Sequence, residues 1–300
     1  MRGWIVAAAI SLGVFFSAAG LEIGPYRVEW GELERDGLQL QYVTVRRGGE
    51  ELLRFEDAWV RIDPLSGRDI TGEGNPDLVV FSYWGGAHCC IQARVVDLGA
   101  VPRVIPVGAP SNCGGYFQDL DGDGIFEYLT CDDTFVYLFC PYATSPVSPA
   151  ILRYEPGEGY VPAGYLFPGY FEQAIAQGRE IAREHGPGEM GEWDGTEKCS
   201  ALFVVLPLLH AGRITEACQA LQEHYSGSDR EAFWGEILDV LAEDPYFSDS
   251  LELSLRELPQ GCSGAWPSVK MRCNFINGGD PDAHFDSFAP FGDRPHGGGG

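Results

Sequence analysis

The hydrophobic positions of the first half of the chain follow a β pattern. Apolar and β-branched residues alternate or form short runs, and each run ends at Gly, Pro, Asn or Asp, which break strands and form turns. The turn-forming residues 47–50 separate two such runs, 39–45 and 52–62, which predicts a hairpin. Further strands are predicted over residues 78–83, 91–98, 101–107, 126–130 and 135–139.

After Pro168 the hydrophobic period becomes that of a helix. Apolar residues recur every three or four positions in 171–182, 214–225 and 229–243, and residues 199–209 form a nearly continuous apolar run that is typical of a buried helix. Ser228 and Glu231 have the spacing of a capping box.

These patterns predict an α+β fold with four parts. Residues 1–19 resemble a signal peptide, and residues 21–165 form a β-rich domain. Residues 169–258 form an α-helical subdomain. Residues 259–300 form a Cys-containing loop and a disordered Gly-rich tail.

The signal-peptide prediction rests on the first residues of the chain. Arg2 is the only charge there, residues 3–16 are apolar, and residues 17–19 are small, as a signal peptidase requires. The apolar stretch is short for a membrane span, which needs about 20 residues. We therefore expect a secreted or periplasmic protein without membrane insertion after signal cleavage.

The charge of the chain excludes one large class of partners. Forty-four acidic residues against 20 basic ones give a net charge of -24. Nucleic acids and anionic membranes are bound by basic surfaces, so neither is expected as a partner, whereas divalent cations are favoured. A hydrophobic content of 45% is normal for a folded globular chain.

Nine cysteines in an exported chain predict disulfides with one cysteine left over. Cys262 and Cys273 close a short loop and are the predicted pair. The rival pair, Cys199 with Cys218, is disfavoured if the two flank a helical hairpin that turns near Gly212. Their offset along the helices would be about 10 Å, beyond the roughly 7 Å limit between bonded cysteine Cα atoms.

Two acidic loops, 69–77 and 119–127, repeat one pattern at an interval of 50 residues. Oxygen-bearing side chains stand at positions 1, 3, 5 and 9, and glycine stands at positions 4 and 6. Ca²⁺ prefers six to eight oxygen ligands, which such a tightly curled loop can supply, including the carbonyl of position 7. The predicted ligands are Asp69, Thr71, Glu73, Asn75 and Asp77 in the first loop, and Asp119, Asp121, Asp123, Ile125 and Glu127 in the second.

The helix-loop-helix calcium hand is excluded by two features. It requires a bidentate Glu at position 12, where the loops have Val80 and Thr130, and its flanks are helices. The D-x-D-G-D-G-x-x-E core of the second loop, followed at once by a strand, instead resembles the calcium loops of FG-GAP and VCBS-type repeats. The resemblance covers roughly residues 67–139. It implies propeller-blade-like β structure, Ca²⁺ as the cofactor and a secreted or cell-surface binding role. The propeller is expected to be incomplete, because residues 21–165 have room for three blades at most and a closed propeller needs four or more.

No catalytic motif of a serine hydrolase, a zinc protease, a phosphate-binding loop or a dinucleotide-binding fold is found in the sequence. Two hypotheses about function remain. The first is an exported calcium-binding protein that acts as a binding or scaffold module for an extracellular protein or glycan, with Tyr83 and Trp84 as candidate surface aromatics. The second is a calcium-dependent extracellular hydrolase, because its paired carboxylates would leave no sequence signature.

Overall fold

The computed structural model describes residues 19–86, 89–184 and 196–247, which all belong to one compact unit, Met1–Pro267. The protein is α+β, as predicted, with strands up to residue 162 and helices from residue 172 to residue 241. The predicted signal peptide, the Cys262–Cys273 loop and the Gly-rich tail lie outside the described residues.

The first sheet is a four-stranded antiparallel meander that packs on the strand following the first acidic loop. Its strands are β1 (Ala19–Ile23), β2 (Tyr26–Arg35), β3 (Leu38–Arg47) and β4 (Glu50–Asp57). The predicted hairpin is confirmed as β3–β4, with Gly48 and Gly49 at positive φ in the turn. Its inward side chains, among them Tyr26 and Val45, share a core with Leu78 and Val80 of the second sheet.

The second sheet contains two four-stranded antiparallel meanders. The strands of the first are β5 (Trp59–Ile62), β6 (Asp77–Gly86), β7 (Cys89–Asp97) and β8 (Arg103–Ser111), and those of the second are β9 (Gly115–Gln118), β10 (Glu127–Asp132), β11 (Ser148–Glu155) and β12 (Gly159–Pro162). The sheet order is β5-β6-β7-β8-β12-β11-β10-β9. The two meanders therefore join through their last strands, β8 and β12, which are parallel.

Each meander has an acidic loop between its first and second strands, so the sequence repeat is also a structural repeat. Because β8 and β12 are parallel, both meanders run in the same direction and both loops come to the same end of the sheet. The sheet is curled, since the Phe81 ring on β6 lies 6.2 Å from Phe117 on β9 and 6.3 Å from Tyr128 on β10.

Two predicted strands were wrong in part. The run 52–62 divides at Ala58: β4 pairs with β3 of the first sheet, whereas β5 pairs with β6 of the second. The run 135–139 forms turns, with the Val136 N–H donating to the Asp133 carbonyl. Phe135 and Phe139 belong to the helical core, with Phe139 packed against Phe233, whereas Tyr137 and Leu138 of the same run are exposed.

The helices are α1 (Glu172–Glu184), α2 (Thr196–His210), α3 (Ile214–His224) and α4 (Arg230–Leu241). The apolar helix α2 contains Pro207 and forms much of the helical core. Gly178 of α1 lies directly against the Phe203 carbonyl of α2, a contact that has no room for a Cβ. No described helix combines the length and apolar character needed to cross a membrane.

The predicted capping box of α4 is not formed. The N-cap residue is Asp229, and no side-chain cap hydrogen bond is made there. The Asp229 carboxylate instead accepts a hydrogen bond from the Tyr225 hydroxyl at 2.5 Å and pairs with Lys198 at 3.0 Å. The Asp229 carboxylate is therefore bound by these two side chains and does not cap the helix.

Candidate functional site

The second acidic loop curls around the side chain of Asp119. Its Oδ1 accepts a hydrogen bond from Gly122 N at 2.7 Å, and its Oδ2 accepts one from Gly124 N at 3.1 Å. Gly122 and Gly124 have φ values of 80° and 91°, which glycine adopts without a Cβ penalty. The glycines at positions 4 and 6 therefore have the conformational role that the sequence pattern predicts.

Three carboxylates of this loop converge. Asp119, Asp121 and Glu127 each place an oxygen within 4.8 Å of the others. Glu127 is fully buried at the start of β10, its Oε2 accepts a hydrogen bond from Leu120 N at 2.9 Å, and burial raises its pKa. Oxygen atoms in this arrangement match the ligand preference of Ca²⁺.

Asp123 and Ile125 complete the predicted ligand set of the second loop. The Asp123 Oδ1 accepts a hydrogen bond from Ile125 N at 2.9 Å. This bond, followed by the interaction with Arg153, lowers the Asp123 pKa. Asp123 is not part of the group within 4.8 Å.

The first loop repeats this local geometry. Asp69 accepts hydrogen bonds from Gly72 N at 2.7 Å and Gly74 N at 2.8 Å, and both glycines have positive φ. The buried Asp77 at position 9 accepts a hydrogen bond from Ile70 N at 2.8 Å, as Glu127 does from Leu120 N.

The acids of the first loop do not form a group of three within 4.8 Å among the described residues. The Thr71 hydroxyl donates a hydrogen bond to Asp77 Oδ2 at 3.1 Å, so this side chain supports the acid at position 9. Glu73 pairs with Arg103 and accepts a hydrogen bond from the Tyr154 hydroxyl at 2.5 Å. Asn75 is half-buried beside Gly99.

The two carboxylate oxygens of Asp77 have different surroundings among the described residues. No described residue donates a hydrogen bond to Asp77 Oδ1, and burial raises the Asp77 pKa to about 6. Asp97, its cross-strand partner on β7, is also buried and has an Oδ1 that receives no hydrogen bond from the described residues. Sequence reasoning missed Asp97, because only the strand pairing brings it beside the loop.

An arginine from elsewhere in the sheet contacts each loop. Arg153 on β11 contacts Asp121 at 3.2 Å, Glu127 at 2.5 Å and also Asp123. Arg103 lies on β8, one strand further from its loop because β7 lies between β6 and β8, and it pairs with Glu73 of the first loop. Neither arginine carries a local sequence signal, since each reaches its loop only through strand pairing.

The two loops contact each other. Phe126 N donates a hydrogen bond to the Ile70 carbonyl at 2.8 Å, and the Arg68 guanidinium lies 4.8 Å from the centre of the Phe126 ring. A Cβ added to Gly72 would lie 3.0 Å from Ile125 Cγ1. The loops therefore form one acidic surface at one end of the curled sheet.

The predicted surface aromatics lie away from this acidic end. The Tyr83 hydroxyl donates to the Gly86 carbonyl, and Trp84 is 64% exposed. Trp84 is seven residues along β6 from Asp77, or about 23 Å. The exposed rings of Tyr137 and Tyr142, 5.3 Å apart, follow the corresponding end of β10.

A second group of ligand-type side chains is fully enclosed. Asp132, His210 and Asp244 place ligand atoms within 4.8 Å of one another, and all three are buried. Burial favours the neutral form of Asp132, but its hydrogen bond with His210 outweighs this effect and lowers the pKa. Burial, with the nearby Asp132 charge, raises the Asp244 pKa to about 7.

The prediction of disulfides is confirmed. Cys113 pairs with Cys131, and Cys140 pairs with Cys199, with Cα separations of 5.8 and 6.3 Å. Cys90 and Cys218 are also disulfide-bonded. The rival Cys199–Cys218 pair is excluded, because Cys199 is bonded to Cys140.

Comparison with known proteins identifies two distant relatives. An uncharacterized protein of Sinorhizobium fredii is 31% identical over 146 residues, which is 43% of this chain and 21% of the relative. A probable thylakoid lumen protein of Synechocystis is 26% identical over 163 residues, which is 53% of this chain and 46% of the relative. The chain thus spans less than half the length of either relative. No family model matches it, and no solved structure matches it significantly.

Proposed function

We propose that the protein is an exported calcium-binding protein in which Ca²⁺ stabilises the two acidic loops, and that it acts as a binding or scaffold module. The observation that carries this proposal is the convergence of Asp119, Asp121 and Glu127 within 4.8 Å. Three carboxylates held this close repel one another unless a cation lies among them. Asp123 and the carbonyl of Ile125 would complete an oxygen ligand set.

The first loop is proposed as a second calcium site of lower affinity. Asp69, Thr71, Glu73, Asn75 and Asp77 are its candidate ligands. The buried Asp77 Oδ1, which receives no hydrogen bond from the described residues, is suited to a cation. Thr71 supplies no charge and Glu73 is paired with Arg103, so this loop attracts Ca²⁺ less strongly than the second.

Arg153 acts as an internal competitor for calcium in this proposal. Its guanidinium contacts Asp121, Asp123 and Glu127 and so supplies part of the positive charge that these acids need. Calcium binding then requires the guanidinium to leave the carboxylates that bind the ion. Arg153 also stabilises the calcium-free loop, because it reduces the carboxylate repulsion.

Two observations support export. Disulfides persist in oxidising compartments outside the cytoplasm, and one relative is named a probable thylakoid lumen protein. We therefore propose a secreted or periplasmic location. The resemblance to FG-GAP and VCBS-type repeats stays a prediction, since no family model matches.

The proposed recognition surface is the end of the curled sheet opposite the acidic loops. Trp84, Tyr137 and Tyr142 are exposed there, and such side chains combine an apolar body with a polar tip. An extracellular protein or a glycan is the proposed partner. Calcium at the loops would then hold the sheet rather than contact the partner.

The hydrolase alternative gains no support from the described residues. Among the described residues, one group of three ligand-type side chains within 4.8 Å lies outside the loops, and its two carboxylates are those of Asp132 and Asp244. Both are buried, so a glycan chain cannot reach them.

Melting curves in Ca²⁺, Mg²⁺ and chelator test the proposal. At a hundredfold excess over the dissociation constant, Ca²⁺ should stabilise the protein by about 2.7 kcal/mol per site. Mg²⁺ should substitute poorly, because it requires near-ideal octahedral geometry. The double substitution Asp121→Asn and Asp123→Asn should remove most of the gain, and Glu73→Gln should remove less.

Arg153→Gln is a variant with the opposite expected effect on calcium affinity. It removes one positive charge and keeps much of the side chain, so calcium affinity should rise by about tenfold while the calcium-free protein becomes less stable. Identical wild-type midpoints in calcium and chelator would disprove the calcium proposal.

A further inference from the structure

The buried group of Asp132, His210 and Asp244 lies where the curled sheet meets the helices. Asp132 ends β10, His210 ends α2, and Asp244 follows α4. Their exposed fractions are 1%, 4% and 0%. The group lies outside the acidic loops, and the proposed calcium function does not involve it.

Hydrogen bonds from outside the group orient both carboxylates. Thr134 N donates to Asp132 Oδ1 at 2.8 Å, and Tyr246 N donates to Asp244 Oδ1 at 2.8 Å. The Thr134 hydroxyl also donates to Asp244 Oδ1, at 3.3 Å. The other oxygen of Asp132, Oδ2, lies 3.0 Å from His210 Nε2.

Contacts outside the group also fix the orientation of the His210 imidazole. The ring hydrogen-bonds to the Tyr246 backbone and lies near the rings of Phe171 and Phe247, with centroids 6.5 and 6.0 Å away. Outer hydrogen bonds of this kind fix the orientation of histidine and carboxylate ligands in metal sites.

The charges of the group suit a divalent ion. Buried carboxylates require compensating positive charge, which protons on His210 and Asp244 supply in the metal-free chain and which a divalent cation can supply in their place. A neutral imidazole, two carboxylates and one divalent cation sum to zero charge. The imidazole nitrogen selects Zn²⁺ over Ca²⁺, which takes oxygen ligands.

We propose that Asp132, His210 and Asp244 bind a Zn²⁺ ion that joins β10, α2 and the segment after α4. Three protein ligands leave the fourth tetrahedral position of Zn²⁺ to a water molecule. The site is structural, because its ligands are buried and come from three distant parts of the chain. It is independent of the acidic loops.

The test uses the full disulfide-bonded chain without a histidine tag. Zinc content by mass spectrometry should be one ion per chain. Co²⁺ added to the zinc-stripped wild type should give the visible absorption of a tetrahedral nitrogen–oxygen site. His210→Asn and Asp244→Asn should lose the zinc and the Co²⁺ spectrum.

The matched control is His224→Asn in α3. The His224 side chain is only 7% exposed, but this residue belongs to none of the ligand groups of three found among the described residues. This variant should keep the full zinc content, and so should the Asp121→Asn, Asp123→Asn double variant. Wild-type protein that takes up neither Zn²⁺ nor Co²⁺ would overturn the proposal, because shared protons alone would then hold the group together. Zinc retained in folded His210→Asn would overturn it too.

Discussion

At the scale of single residues, the acids at position 9 distinguish the two loops. Asp77 and Glu127 are both fully buried, and each accepts a backbone hydrogen bond from position 2 of its loop. Glu127 also meets Arg153, whereas no described residue donates to Asp77 Oδ1. The charge of the Asp77 carboxylate is therefore less compensated by neighbouring groups than that of Glu127.

This difference predicts a pH dependence for Asp77→Asn in chelator. Burial raises the Asp77 pKa from 3.8 to about 6, so the folded protein binds this proton more tightly than the unfolded chain does. The wild type then loses stability as pH rises between these values, by up to about 3 kcal/mol. Relative to the wild type, Asp77→Asn should gain stability by that amount between pH 4 and pH 7. Urea unfolding at both pH values measures it, and a constant difference would contradict the prediction.

At the scale of elements, two glycines of the acidic loops allow the conformational cost of a substitution to be compared with its packing cost. Gly72 and Gly122 both stand at position 4 with φ values of 74° and 80°. No atom lies within 4 Å of a Cβ added to Gly122, whereas one added to Gly72 would lie 3.0 Å from Ile125. The two positions thus differ mainly in the contact between the loops.

We expect Gly122→Ala to cost about 1 kcal/mol through its positive φ alone. Gly72→Ala should cost roughly 1 kcal/mol more, because Ile125 must move and the loop contact is disturbed. Chemical denaturation of both variants measures the difference. Equal losses would show that the contact between Gly72 and Ile125 contributes nothing to stability.

At the scale of the whole molecule, the two disulfides differ in the sequence separation of the cysteines that they link. Cys113–Cys131 links residues 18 apart, whereas Cys140–Cys199 links residues 59 apart and joins the segment after β10 to α2. A cross-link that closes a longer loop removes more entropy from the unfolded chain.

Replacing both cysteines of a pair with alanine should therefore have unequal effects. Loss of Cys140–Cys199 should destabilise the protein by about 4 kcal/mol and loss of Cys113–Cys131 by about 3 kcal/mol. Cys140 and Cys199 are also buried, so cavities would add to the larger loss. Urea unfolding of the two double variants under oxidising conditions measures both values. A larger loss for the Cys113–Cys131 pair would contradict this ordering.

Local sequence determined the periodic elements and the conformation of the loops. The helical spacing of apolar residues predicted α1, α3 and α4, and the apolar run predicted α2, because a helix buries one face or its whole surface according to that spacing. The loop glycines predicted positive φ, because only glycine adopts it without a steric penalty. The position-1 acids Asp69 and Asp119 each accept two loop N–H groups, an interaction between near neighbours in the chain.

Only the tertiary structure decided which distant groups meet. The sequence could not show that the run 52–62 divides between two sheets, or that Phe135 and Phe139 pack on helices, since both depend on partners elsewhere in the chain. Arg153 reaches the second loop through the pairing of β11 with β10, and Asp132 meets His210 across 78 residues. Hydrophobic periodicity records which face of an element is buried, whereas the identity of the neighbour depends on strand order and sheet curl.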